Sequence, residues 1–347
     1  MFSKDSDAHF ILSYDFSDPR PWCPASLCPR SARRLKPETS PRRFQLSGAL
    51  IATVLAWGFN FAALKSLYVQ IPPAAVGLCR FLPMWLALAL VCLGMKEPLK
   101  YPKGTAAPLL GIGALSMGVY MILFLEGLKR TGGAEAAIVL ATAPIFTAVF
   151  TSLMGHERLR VTSLVGGLLA MSGVAMVVIG SGQVKTGTES HVTGDLLILG
   201  SAIVWSFQAA YSKPFLAQMS ALRLLTLSMP GALPILIPYG LATSLQVDWQ
   251  AVSPQSWLMF AHVTFLAGVV GFLGFYAGVK KIGAPAALLY QYFVPPIAVL
   301  FEWFLFGKVL QLWQWVGFVL VVAGVSIASY YRFQASKSYA PASAPVE

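Results

Sequence analysis

Ala56-Trp57-Gly58-Phe59-Asn60-Phe61-Ala62-Ala63-Leu64-Lys65 returns 148 residues later as Val204-Trp205-Ser206-Phe207-Gln208-Ala209-Ala210-Tyr211-Ser212-Lys213. Further matches follow at an offset of 151: Gly127-Leu128-Lys129-Arg130 with Gly278-Val279-Lys280-Lys281, Pro144 with Pro295, Gly166 with Gly317 and Gly173 with Gly324. One short insertion or deletion accounts for the two offsets. Compositional bias aligns leucines with leucines, but it does not align Trp, Lys and Pro in order. The chain is therefore read as one unit repeated.

The setting of that unit follows from composition. Of the 347 residues 56% are hydrophobic and 11% charged, and the mean hydropathy is +0.68. Soluble domains carry about 25% charged residues, so a soluble fold would lack polar surface. From Gln45 onward ten apolar blocks follow, at 45–66, 73–95, 106–127, 134–155, 161–180, 194–213, 222–243, 256–279, 283–306 and 309–331. Each is of the length needed to cross a hydrocarbon core of about 30 Å as a helix. The expectation is an all-α integral membrane protein of ten transmembrane helices. Residues 1–44, with six prolines and mixed charge, and residues 332–347 read as disordered cytoplasmic tails. The first segment lacks the apolar stretch of a signal peptide, and its acidic residues argue against an organellar transit sequence.

The net charge of +11 is distributed by topology. Nineteen Lys and Arg fall on the side of the N-terminus and five on the other, with Arg80 inside a block. By the positive-inside rule both termini are cytoplasmic, as an even helix count requires. This pattern points to a lipid bilayer and not to nucleic acid. Repeats of five helices, expected at 45–184 and 194–331, must enter the membrane in opposite senses. They form two inverted five-helix repeats, an arrangement common in secondary transporters. Cys79 and Cys92 lie in an apolar block and Cys23 and Cys28 lack companion ligands. No disulfide framework, metal site or cofactor is expected.

Trp57-Gly58-Phe59-Asn60-Phe61, Leu78-Cys79-Arg80-Phe81 and Gly155-His156-Glu157-Arg158-Leu159, followed by Gly166 and Gly173, resemble the EamA-type family of the drug/metabolite transporter superfamily. The resemblance spans 45–331. It implies a ten-helix transporter of amino acids, other metabolites or toxic compounds, often an exporter. Two positions depart from a symmetric repeat: Lys308-Val309 stands where Glu157-Arg158 would recur, and Arg80 aligns near Ser228.

The site is expected near the membrane midplane, at irregular helices in corresponding positions of the halves. Pro144 and Pro295 each remove a backbone hydrogen bond mid-helix; Gln291 and Glu302 share a helical face with Pro295. These prolines either line a cavity or merely kink the bundle. Trp57 lies about 16 Å into its helix at 1.5 Å per residue, away from the interfaces Trp prefers, and Trp205 is its mate. Asn60, the only asparagine, and Gln208 follow one turn later. A ring and an amide so spaced either bind a small amphipathic solute or join helices. Tyr120, Tyr276 and Tyr290 are further aromatic candidates. Arg80, costing at least about 2.5–3.5 kcal/mol in lipid, needs a partner: Glu126, Glu135 or Glu302 as a structural lock, or an anion as a gate. His262 reads as a hydrogen-bonded polar group.

The sequence shows no intramembrane nucleophile–base pair, His-Glu-x-x-His motif or paired aspartates, so an enzyme is not expected. A channel or a receptor fits the sparse polar lining and the helix count less well. The expected function is export of amino acids or related amphipathic solutes across the plasma membrane, the inner membrane if Gram-negative. A phosphorylated-sugar or organic-anion exchanger of the same superfamily is the alternative, and it requires basic residues facing the central cavity.

Overall fold

The computed structural model describes residues 48–131, 133–156, 161–179, 189–306 and 311–337. The segment 1–44, Glu157-Arg158-Leu159, Lys308-Val309 and residues 338–347 lie outside them. The described residues are helical, with no strand among them. Eight helices are long and apolar enough to cross a membrane: α1 (Gly48–Leu67), α2 (Pro73–Gly94), α3 (Ala106–Arg130), α4 (Ala136–Leu153), α6 (Val192–Leu216), α7 (Ala221–Gln246), α8 (Pro254–Ile282) and α9 (Ala284–Phe301). The remaining two blocks form α5 (Val161–Ile179) and α10 (Leu312–Lys337), whose apolar stretches, Val161–Met176 and Leu312–Ala328, are shorter. The expected ten spans thus appear as eight of full length and two shorter apolar helices. α10 also runs on to Lys337, beyond the expected end at 331.

Hydrocarbon dictates this form, because a backbone N–H or C=O without water must be satisfied within its own helix. The faces turned outward are apolar: Leu82, Leu86, Leu90 and Leu93 on α2 and Val319 and Val322 on α10 are exposed. The polar residues Thr53, Asn60, Arg80, Thr147, Ser206 and Gln208 are buried inside. Lysines at helix ends turn to backbone carbonyls, Lys65 donating to Thr131 at 2.7 Å and Lys213 to His156 at 3.3 Å.

The repeat is visible in the way the halves touch. A Cβ on Gly166 would lie 2.7 Å from the carbonyl oxygen of Gly324, and a Cβ on Gly173 2.7 Å from that of Gly317. Since Gly317 and Gly324 are the repeat mates of Gly166 and Gly173, each glycine meets the mate of the other. Crossed pairing of this kind is what a two-fold axis perpendicular to two antiparallel helices produces. The same exchange governs the front of the bundle. Gly127 of α3 packs on Ile198 of α6, and its mate Gly278 of α8 packs on Leu50 of α1, the mate of Ile198. Each half thus lays its third helix on the first helix of the other.

The irregularities also come in mates. α2 breaks between Pro73–Cys79 and Phe81–Gly94, at Arg80, and α7 tightens into a 3₁₀ turn at Met229–Ala232. Pro83 and Pro230 each lack the N–H that would continue the ladder. α3 widens into a π-helix over Ala114–Val119 and α8 over His262–Gly271. The fourth helix of each half is interrupted before its proline. Gly133–Leu140 gives way to Ala143–Leu153, with Pro144 in the first turn, and Tyr290–Phe293 is a 3₁₀ turn before Pro295. A proline at i frees the carbonyl at i−4: Leu140 for Pro144 and Gln291 for Pro295.

Candidate functional site

These interruptions surround a cavity between the halves. Trp57, Asn60 and Phe61 of α1 form one wall, and Tyr120, Met121 and Phe124 of α3 another. Arg80 enters from the break in α2, Ala137, Leu140 and Ala141 from the break in α4, and Gln291, Val294 and Pro295 from the break in α9. Ala267 and Phe272 close it from α8. The space open to the centres of water-sized spheres is about 50 Å³. At roughly 10–15 Å³ per water on that measure it holds on the order of four waters, the bulk of a small metabolite's polar end.

Trp57 is held by a bond that crosses the halves. Its Nε1 donates to the Ala267 carbonyl at 3.0 Å, inside the π-helical stretch of α8. Thr53 donates to the Gly271 carbonyl at 3.0 Å and His262 Nε2 to the Ala56 carbonyl at 3.1 Å. A π-helical turn leaves carbonyls without their usual i+4 partner, and α1 supplies donors to this stretch. His262 is the hydrogen-bonded polar group that the sequence suggests.

Three polar residues, Asn60, Gln291 and Arg80, are in the cavity lining. Asn60 Oδ1 and Gln291 Oε1 are buried with no hydrogen-bond partner. Arg80 is 5% exposed, and its one hydrogen bond runs from a terminal nitrogen to the Met121 sulfur at 2.7 Å. Among the described residues no carboxylate lies within ion-pair distance of the guanidinium, so the expected lock is absent there. Glu126 is engaged elsewhere. It pairs with Arg130 one turn on and accepts from the Tyr239 hydroxyl at 2.7 Å. The i,i+4 neighbour reaches Glu126 at little entropic cost, whereas Arg80 is on another helix. The side chains of Glu135 and Glu302 lie outside the described residues.

The other sequence candidates fall on the closed side. Trp205 is 1% exposed and does not reach the cavity surface. Its ring lies 5.8 Å from Trp57, 5.0 Å from Tyr120 and 4.6 Å from Phe275, so it forms the floor beneath the cavity. Its Nε1 has no partner. Gln208 is fully buried, accepts from the Tyr276 hydroxyl, and leaves its Nε2 unpartnered. Tyr290 is buried outside the cavity lining, and Pro144 lines a separate, smaller pocket with Gly167, Leu289 and Tyr292. Repeat mates therefore differ in place: Trp57 and Asn60 line the cavity, whereas Trp205 and Gln208 are packed outside its lining.

Sequence reasoning missed Phe61, Met121, Phe124, Ala267 and Phe272. Apolar residues on apolar helices carry no mark of their own. The usable signal was the face of α3 that holds Tyr120, on which Phe124 follows at i+4 and stacks at 5.8 Å. The cavity side of α8 is set by its π-helical stretch, for which no local sequence rule exists.

Outside the membrane-spanning helices, His156 follows α4 and is half-buried. Burial, and secondarily the Lys213 ammonium, push its imidazole down to about 4.

The model of the EamA-like transporter family matches residues 47–179 and 192–330, one match for each half. The chain is 27% identical over 305 residues to the uncharacterized inner membrane transporter YedA of Escherichia coli, covering 85% of this chain and 95% of that protein. It is 24% identical over 282 residues to a protein of Streptantibioticus cattleyicolor named a probable terminal-alkyne amino-acid exporter, covering 80% and 91%. A solved crystal structure superposes with a TM-score of 0.68 at 18% identity, covering 82% of this chain and 97% of that one, a likeness that shows the fold alone.

Proposed function

The chain belongs to the EamA-like transporter family, and we propose that it carries small amphipathic solutes, amino acids or related metabolites, out of the cell by alternating access of two inverted five-helix repeats. On this reading all ten helices cross the membrane, the repeats occupy 45–184 and 194–331, and both termini are cytoplasmic. The excess of Lys and Arg on the N-terminal side supports that orientation. The cavity then faces the outer side, and Trp205, Gln208, Phe275 and Tyr276 form the inner gate.

The observation that carries the reading is the contrast between repeat mates. Two halves of one design cannot both be open at once about a two-fold axis; exchanging their conformations would close the Trp57 side and open the Trp205 side. The buried, unpartnered Nε1 of Trp205 and Nε2 of Gln208 support this. A buried polar group left without a partner costs about 1–3 kcal/mol, and hydration in the alternate state relieves it. The substrate class is supported by aromatic walls with a few convergent polar groups, and by the printed name of the Streptantibioticus relative. A second reading, an organic-anion exchanger, is favoured by one observation: Arg80 reaches the cavity wall.

A growth-resistance screen of cells overproducing the protein, against amino acids and amino-acid analogues, identifies solutes. Proteoliposome flux then measures them. Trp57→Ala and Asn60→Ala are expected to lower flux at least about fivefold, the equivalent of one hydrogen bond of about 1 kcal/mol. Wild-type flux in both variants, with normal folding and membrane insertion, removes the cavity from the pathway.

A further inference from the structure

Resting on that reading of the cavity, we infer that the Arg80 guanidinium is the receptor for a carboxylate of the solute, and that Asn60 and Gln291 supply acceptors for an ammonium or N–H group beside it. Arg80 is nine-tenths buried, lines the cavity, and is served within the protein only by the Met121 sulfur. A thioether is a weak acceptor, and a guanidinium has five N–H donors in a planar fork that matches a carboxylate in two parallel bonds. Burying such a group beside a cavity, with no carboxylate in ion-pair range among the described residues, leaves its charge to be answered from the cavity. Arg80 keeps right-handed helical dihedrals (φ −73°, ψ −18°) where the two segments of α2 join, and its side chain reaches the cavity from there.

Charge and bond type narrow the anion. Among the described residues of the lining Arg80 is the sole Lys or Arg, and no Asp or Glu appears. One positive charge matches one carboxylate. Asn60 and Gln291 line the cavity, and each has an amide oxygen that is buried in this conformation and without a donor; turned toward the cavity, these oxygens would accept N–H or ammonium hydrogens of the ligand. The faces of Trp57 and Tyr120 favour a cation as well. A carboxylate at one end and an N–H group near it describe an α-amino acid head, with Phe61, Phe124 and Phe272 left for an apolar side chain. The repeat mate of Arg80 is Ser228, so the anion receptor belongs to one half alone.

The test is binding to the full-length protein in lipid nanodiscs, read by quenching of intrinsic tryptophan fluorescence. Each of the twenty L-amino acids is titrated, followed by the carboxamide of the tightest. The expected result is that the amide binds about 10- to 100-fold more weakly than the acid, the range of one charge-assisted hydrogen-bond pair. In Arg80→Gln the acid falls to the affinity of the amide while the amide is unchanged, and Arg80→Lys recovers part of the difference. A merely structural Arg80 would weaken both ligands alike. The inference is overturned if acid and amide bind equally to the wild type, a comparison that needs no variant. It is also overturned if Arg80→Gln leaves the difference intact, or if none of the twenty binds. Should flux of another solute from the resistance screen persist while amino acids fail, transport stands and the carboxylate receptor alone falls.

Discussion

The contact between α5 and α10 allows the antiparallel arrangement of the halves to be tested by single methyl groups. Gly173 and Gly324 are repeat mates, and a Cβ on either would strike backbone. It would lie 2.7 Å from the Gly317 carbonyl oxygen in the first case, and 2.4 Å from the Ala170 nitrogen and 2.6 Å from the Gly166 carbonyl oxygen in the second. Backbone cannot rotate away, so relief to ordinary contact near 3.4 Å requires the two helices to part by about 1 Å. Overpacking of this kind costs about 1–3 kcal/mol. Gly173→Ala and Gly324→Ala are therefore expected to lower stability by similar amounts, because the two-fold makes their surroundings alike. Gly48→Ala and Gly111→Ala, where nothing lies within 4 Å of the added carbon, serve as controls. They should be neutral or stabilising by up to about 1 kcal/mol through helix propensity. The assay is thermal unfolding of the detergent-purified protein with ligand-free samples run side by side. If either member of the pair melts with the wild type, the helices do not meet backbone to backbone and the crossed pairing fails.

Three further outcomes follow from individual contacts. Tyr276→Phe removes the hydroxyl that donates to Gln208 and leaves the buried amide without its partner, which should destabilise the closed inner gate by about 1–3 kcal/mol and lower the melting temperature of the purified protein. Glu126→Gln deprives Arg130 and the Tyr239 hydroxyl of their shared carboxylate; melting should shift down while amino-acid binding in the cavity stays unchanged, since Glu126 does not line it. His156 is a base that burial pushes down to about 4, below the ordinary imidazole value of 6.5. The unfolded chain therefore binds the proton first, and stability declines as pH falls from about 6.5 toward 4; a pH series of melting curves should show this slope flattened in His156→Gln.

Much of the architecture was legible because rare residues repeat. Trp57 with Trp205, Pro144 with Pro295 and Gly173 with Gly324 are expensive or distinctive in a helix, so their register survives the drift of the leucines around them. Of the two prolines expected to mark the site, Pro295 lines the cavity where α9 is interrupted, whereas Pro144 lines a separate pocket. What escaped the sequence was state. Trp57 and Trp205 are near-identical in context, and nothing local says that one lines open space while the other is packed as its floor; that difference belongs to the conformation. Of the three carboxylates expected as partners for Arg80, Glu126 pairs instead with Arg130, four residues on along the same helix, and the side chains of Glu135 and Glu302 lie outside the described residues. The π-helical stretch of α8 accepts bonds from another helix, from Thr53 and Trp57, and contacts of that kind leave no local mark in the sequence.

The exchange of conformation between halves is tested most directly by accessibility of one mate from each side. Asn60→Cys and Gln208→Cys are built separately in a protein whose Cys23, Cys28, Cys79 and Cys92 are replaced by Ser. Each is then challenged with a membrane-impermeant thiol reagent from either face. Opposite exposure is expected: Asn60→Cys reacts from the outer face alone and Gln208→Cys from the cytoplasmic face alone, with a transported solute shifting the two rates in opposite directions. Reaction of both positions from the same face would contradict an alternating pathway between inverted halves.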